Sequence, residues 1–156
     1  MAVEIEKKFL VLSDDYRSMA IPVFYRQGYL SNDKERVVRV RIAGKKAFLT
    51  IKGQSIGIER AEFEYEIPVS DATEMLDNLC LKPEIEKYRY KIEVNGFVWE
   101  VDEFLGENRG LVLAEIELPS AETLFVKPDW IGAEVSDDRR YYNSNLILHP
   151  YSQWIL

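Results

Sequence analysis

A two-residue alternation of charged and apolar side chains runs through most of the chain, and no other feature restricts the fold as strongly. Successive side chains of a β-strand point to opposite faces, so each such run has one charged face and one apolar face. Near the start, Glu4, Glu6 and Lys8 share a face opposite Val3, Ile5 and Phe9. Arg39 and Arg41 oppose Val38, Val40 and Ile42, and Lys52 is in phase with Phe48 and Thr50. Arg60, Glu62, Glu64 and Glu66 oppose Ala61, Phe63, Tyr65 and Ile67. Lys87 and Arg89 oppose Tyr88 and Tyr90, Glu100 and Asp102 oppose Trp99 and Val101, and Glu115 and Glu117 oppose Ala114, Ile116 and Leu118.

The pattern predicts strands at 3–11, 24–31, 36–43, 46–53, 59–68, 85–95, 97–105 and 111–118. Asn95-Gly96 is a two-residue hairpin signal between the sixth and seventh strands, and Ala43-Gly44-Lys45 turns the third into the fourth. Ser70 is read as the cap of a helix over 71–81, with Ala72, Met75, Leu76 and Leu79 at helical spacing. Ser120 is read as the cap of a shorter helix through Ala121, Leu124 and Phe125 that ends before Pro128. The segment after Ile131 has no clear period. The class is therefore α+β and mainly β, a single domain over 1–156 without repeat or linker.

An open sheet with one solvated face would explain the alternation alone. The sorting of the charges points elsewhere. Carboxylates pair at 4/6, 62/64, 100/102 and 115/117, and cations pair at 39/41 and 87/89. Like charges two residues apart gain nothing on an ordinary surface, and the opposite faces are apolar enough to need covering. A closed antiparallel barrel of eight strands, with its charged faces inward and a few helices outside, meets both demands. Its interior must then hold water, metal and a counter-charged ligand, because unpaired buried ions cost about several kcal/mol each. Arginine forks suit phosphate oxygens, and carboxylates tolerate a polyanion only with a hard divalent cation between them. Carboxylates, cations and metal together indicate phosphoryl transfer.

The 156 residues include 47% hydrophobic and 30% charged, which suits one soluble domain with a sizeable core. Apolar runs such as Phe9–Leu12 are too short to span a bilayer, and the charges in MAVEIEKKFLV interrupt any signal-peptide core. The single cysteine, Cys80, excludes an internal disulfide and suggests a cytoplasmic setting. A net charge of −7 argues against general nucleic-acid binding but not against a small anionic ligand.

Glu4-Ile5-Glu6-Lys7-Lys8 forms an E-x-E-x-K pattern on the first strand. It resembles the signature of the CYTH superfamily, the triphosphate tunnel metalloenzymes. YRQGYLS (25–31), RVRI (39–42), TIKG (50–53), RAEFEYEI (60–67), EKYRY (86–90), WEVDEF (99–104), LAEIEL (113–118) and the ending at 130–146 follow in the family's order. The resemblance covers nearly the whole chain and lies nearest the bacterial inorganic triphosphatase branch. It implies an eight-stranded antiparallel tunnel. Glu4, Glu6, Glu117 and Glu115 would then hold Mg²⁺ or Mn²⁺, with Glu62, Glu64, Glu100 and Asp102 as further tunnel acids or a second metal site. It also implies phosphate binding by Lys8, Arg39, Arg41, Lys52, Arg60, Lys87 and Arg89, and a catalytic pair of Lys8 and Tyr29. Metal-activated water is the alternative to a lysine base.

The implied reaction is hydrolysis of inorganic triphosphate to diphosphate and phosphate. Class IV adenylyl cyclase, thiamine or nucleoside triphosphatase, and a non-catalytic polyphosphate-binding module remain alternatives. The expected partner is a small triphosphate, without nucleic acid or membrane, and a homodimer is compatible with the reading. His149 is read as a loop or packing residue, Trp99, Trp130 and Trp154 as core or rim, and Cys80 as a small buried hydrophobe. Tyr141, Tyr142, Asn143 and Ser144 match a family segment without a role that follows from the residues. With little chain beyond the last strand, closure of the tunnel at both ends is left open.

Overall fold

The computed structural model describes residues 3–154. Its strands are β1 (Val3–Val11), β2 (Val23–Asp33), β3 (Arg36–Ala43), β4 (Lys46–Gly53), β5 (Glu59–Ile67), β6 (Ile85–Val94), β7 (Phe97–Phe104), β8 (Val112–Glu117) and β9 (Ile131–Glu134). Two helices are named here, α1 (Val69–Asn78) and the short α2 (Asn143–Leu146). The strands are hydrogen-bonded in the order β5-β4-β3-β2-β6-β7-β8-β1-β9, and a β5–β1 pairing closes the first eight into an antiparallel ring. All eight expected strands are present, with ends that differ by a residue or two.

The closing seam is short. It pairs Val3 with Ala61, Glu4 with Arg60 and Ile5 with Glu59, after which β9 joins the outer half of β1 through Phe9 and Val11. The β6–β7 hairpin turns as the Asn-Gly signal requires, with Asn95 at φ 53° and Gly96 at φ 82°.

The apolar faces point outward and are covered in two places. Phe9, Trp99, Ala114 and Ile116 pack beneath Tyr16 and the 125–131 segment, with Phe125 edge-on to both Phe9 and Trp99. On the other side α1 lays Ala72 and Leu76 over Val40 and Ala47. A methyl on Gly28 would come within 3.1 Å of Cys80 Cβ and Leu76 Cδ2, so the close approach of α1 depends on glycine there. Cys80 is buried in this cluster, as expected, and Trp99 is fully buried.

Two helix expectations are corrected. α1 begins at Val69 with Pro68 at the cap position, so Ser70 lies inside the helix, and the helix ends at Asn78 rather than Leu81. Proline's fixed φ starts the helix without a side-chain cap. No helix forms over 120–127: a turn at 121–122, beside which the Ser120 and Thr123 hydroxyls bond each other at 2.9 Å, leads into a stretch without regular structure. Phe125 anchors that stretch edge-on against Phe9 and Trp99. Among the described residues no helix is long and apolar enough to cross a membrane.

Candidate active site

On every barrel strand but β2, whose inward residues are Tyr25, Gln27 and Tyr29, the inward set carries charge, and at one end of the barrel it turns apolar. Tyr29 and, in phase with the charged residues of their strands, Val37, Ile85, Phe104 and Leu113 form one buried cluster that Leu146 and Ile147 complete. Hydrophobic burial thus seals that end of the interior and leaves the charged remainder as a cavity of about 260 Å³. A second, smaller cavity beside the β1–β5 seam is bordered by Glu4, Glu6, Lys8, Tyr29, Arg39 and Arg60.

Strand register brings the expected residues together. Glu6 lies opposite Glu117, Lys8 opposite Glu115, Glu100 opposite Glu115 and Arg89 opposite Asp102. Across β4 and β5, Lys52 faces Glu62 and Thr50 faces Glu64. Of the expected site residues, Lys87 and Asp102 alone border neither of these two cavities. Lys87 is fully buried, donating to Asp102 Oδ2 at 2.7 Å, and Arg89 grips the same carboxylate with Nε at 2.7 Å and Nη2 at 2.8 Å. Lys87 and Asp102 form a charged floor beneath Arg89, whose Nη1 reaches Glu100 at 3.2 Å.

The remaining cations differ in how far they are neutralised. Lys52 is shared between Glu4 at 3.0 Å and Glu62 at 3.3 Å. Arg39 reaches Thr50 Oγ1 at 3.3 Å and stands 3.7 Å from Glu64, while its buried Nε has no partner. Arg41 and Arg60 have no carboxylate partner among the described residues. Arg41 Nε donates to Gln27 Oε1 at 3.0 Å, and Arg60 Nε donates to the Gly53 carbonyl at 2.7 Å. Burial, with Arg39 and Arg89 nearby, lowers Arg41 to about 10, so unbalanced positive charge collects on that wall. Lys8 donates to the Tyr141 carbonyl at 3.0 Å and lies 3.7 Å from Glu115, with no bond to the Tyr29 hydroxyl. Burial raises Tyr29 above its ordinary value, so it is a neutral phenol.

The carboxylates divide in the opposite sense. Burial of Glu115 opposes ionisation, yet Lys8, Arg89 and Lys87 outweigh it and hold the group low. Glu6 is raised well above the usual carboxylate range by burial and by Glu115 and Glu4. Burial also raises Glu4, with Glu62 adding to it, and burial raises Glu117, with Glu4 and Glu100 adding to it. Neither Glu6 nor Glu117 has a cationic partner among the described residues. Glu6 and Glu117, with Glu4 crowded beside them and sharing Lys52 with Glu62, suit a hard divalent cation. No three acidic, imidazole or thiol side chains among the described residues already converge on one point. A magnesium-type ion does not require that, since it binds through one or two carboxylates and completes its shell with water and phosphate.

Two residues that border neither cavity hold arginines of the larger one: Gln27 accepts from Arg41 and Thr50 from Arg39, and the phase of Gln27 with Tyr29 could have revealed it. Ser55, Ile58 and Ser136 line the smaller cavity from loops, which carry no period, and Asn143, which the sequence left without a role, lines it from α2.

Residues 2–144 match the CYTH domain. The chain belongs to the CYTH family. It is 60% identical over 154 residues to the inorganic triphosphatase of Acetivibrio thermocellus, spanning 99% of both chains. Over 150 residues it is 38% identical to that of Nitrosomonas europaea, covering 93% of this chain and 97% of the relative. A solved inorganic triphosphatase structure superposes with a TM-score of 0.68 at 35% identity, covering 95% of this chain and 96% of the other.

Proposed function

We propose that this CYTH protein hydrolyses inorganic triphosphate to diphosphate and phosphate inside its barrel. One observation carries the reading: a cavity of about 260 Å³ sets the uncompensated Arg41 and the loosely paired Arg39 against the crowded, uncompensated Glu6 and Glu117. Phosphate oxygens neutralise the first pair and a divalent cation neutralises the second, so a metal triphosphate satisfies both at once. The identity to two inorganic triphosphatases supports the same substrate.

Arg39, Arg41, Arg60 and Lys52 grip phosphate oxygens, the arginines in bidentate fashion. Arg89 is held in place for the same task by Asp102 and Glu100. Glu4, Glu6 and Glu117 would hold Mg²⁺ or Mn²⁺; their all-oxygen chemistry suits these ions better than zinc. When bound, the ion supplies Lewis-acid polarisation of phosphoryl oxygens and lowers the pKa of bound water. Glu115 keeps the Lys8 ammonium beside the smaller cavity, where it stabilises charge that builds on the transferred phosphoryl group. Tyr29 borders the same space as a neutral hydroxyl donor. The single cysteine fits a cytoplasmic enzyme.

Phosphate release from inorganic triphosphate, ATP, thiamine triphosphate and diphosphate, with Mg²⁺ or Mn²⁺, tests the reading. Preference for inorganic triphosphate is expected. Formation of cyclic AMP from ATP at a higher rate would replace hydrolysis with cyclisation.

A further inference from the structure

Among the described residues Asn143 alone borders the larger cavity from outside the eight barrel strands, and it borders the smaller one as well. It thus stands where the arginine-rich space meets the space of Glu4, Glu6 and Lys8. Its side-chain oxygen Oδ1 is buried and has no hydrogen-bond partner among the described residues. The backbone around it is firmly fixed. Asn32 Nδ2 donates to the Ser144 carbonyl at 2.9 Å, Tyr142 Oη donates to the Ser136 carbonyl at 3.1 Å, and Leu146 is fully buried in the apolar seal. The fold therefore holds Asn143 in one place while leaving its amide oxygen unbonded.

A buried acceptor without a donor is destabilising, and one on a residue that borders both cavities calls for a ligand. Phosphoryl oxygens are acceptors too and cannot satisfy it. Water can. We propose that Asn143 positions the attacking water, accepting a hydrogen bond from it so that its lone pair faces the terminal phosphorus; this rests on the triphosphatase reading above. Phosphoryl transfer is catalysed largely by positioning, and a side-chain amide that orients the nucleophile is a chemically sufficient device. In the step, the water oxygen bonds to the terminal phosphorus and the bridging P–O bond breaks, its electron pair leaving on diphosphate. One water proton stays on the phosphate product and the other is released to solvent. Asn143 takes neither.

Steady-state hydrolysis of inorganic triphosphate by Asn143→Leu, Asn143→Asp and Asn145→Ala tests the role. Leucine fills the same volume without an acceptor, so kcat should fall about 10- to 100-fold, the effect of one lost positioning hydrogen bond, with KM and the metal concentration for half-activation nearly unchanged. Aspartate keeps the acceptor and loses the amide N–H group, so its kcat should recover most of the loss. Asn145→Ala removes a neighbouring bond to the Arg139 carbonyl and should keep kcat. The proposal is overturned if Asn143→Leu keeps its kcat, if aspartate does no better than leucine, or if Asn145→Ala loses as much. A large shift in metal requirement would overturn it in favour of cation ligation. A wild-type chain that releases no phosphate from triphosphate would instead sink the functional reading itself.

Discussion

Lys87 Nζ donates to Asp102 Oδ2 at 2.7 Å where solvent reaches neither residue, and that one carboxylate also carries both bonds from Arg89. Two cations thus share one buried anion. Desolvation, with Arg89 and Arg41 nearby, brings Lys87 from the ordinary 10.5 down to about 7 in spite of Asp102.

Asp102→Asn should therefore be the most damaging change in the floor. It strands two buried cations, and breaking a buried pair in this way costs about 3–5 kcal/mol. Lys87→Met leaves Asp102 matched one-to-one with Arg89 and should cost much less. Between pH 7 and 10.5 the unfolded chain keeps a proton on Lys87 that the folded chain has released, so wild-type stability gains with rising pH across that window. Denaturant unfolding at pH 7 and pH 9.5 should show that gain in the wild type and a smaller one in Lys87→Met.

Glu6 reports on metal without any turnover. In metal-free protein its folded pKa lies well above 4.5, so ionising it as pH rises through that value weakens the fold. A divalent cation removes this penalty. At roughly 100 times Kd, Mg²⁺ or Mn²⁺ should add about 2.7 kcal/mol at pH 7.5, raising Tm by about several degrees. Glu6→Gln should be more stable than wild type in chelator and should lose most of the metal-induced shift. An undiminished shift in that variant would move the metal elsewhere.

Among the described residues Arg41 hydrogen-bonds only Gln27, lies over the Tyr25 ring and has no carboxylate to neutralise it, so its removal should spare the fold and harm the chemistry. Arg41→Ala should lower kcat/KM on inorganic triphosphate by the equivalent of about 1.5–3 kcal/mol, with Tm unchanged or raised. Unchanged kcat/KM would take Arg41 out of the site.

The barrel was legible because inward residues on seven of its eight strands are charged, which makes the alternation visible there; β2, with Tyr25, Gln27 and Tyr29 inward, is the exception. Depth was not. Lys87 and Arg89 have the same phase, and nothing in their spacing tells that Lys87 is sealed under Phe104 and Tyr25 while Arg89 reaches the cavity. Phase also shows Val37, Ile85 and Leu113 facing inward, but only the ring aligns them into a seal. β9 is four residues long, too short for a period to register, and Asn143 is placed by the long-range bond from Asn32 to the neighbouring Ser144 carbonyl and by the burial of Leu146. The expected helix after Ser120 failed because tertiary packing of Phe125 outweighed local capping.

The crowded carboxylates and bare arginines of one barrel should cut triphosphate at a single bond. Phosphorus NMR of the products during wild-type turnover with Mg²⁺ checks this. One phosphate and one diphosphate are expected for each triphosphate consumed, with no turnover in excess chelator or with Glu6→Gln at saturating metal. Equal rates in chelator, or three phosphates released for each triphosphate with no diphosphate remaining, would contradict it.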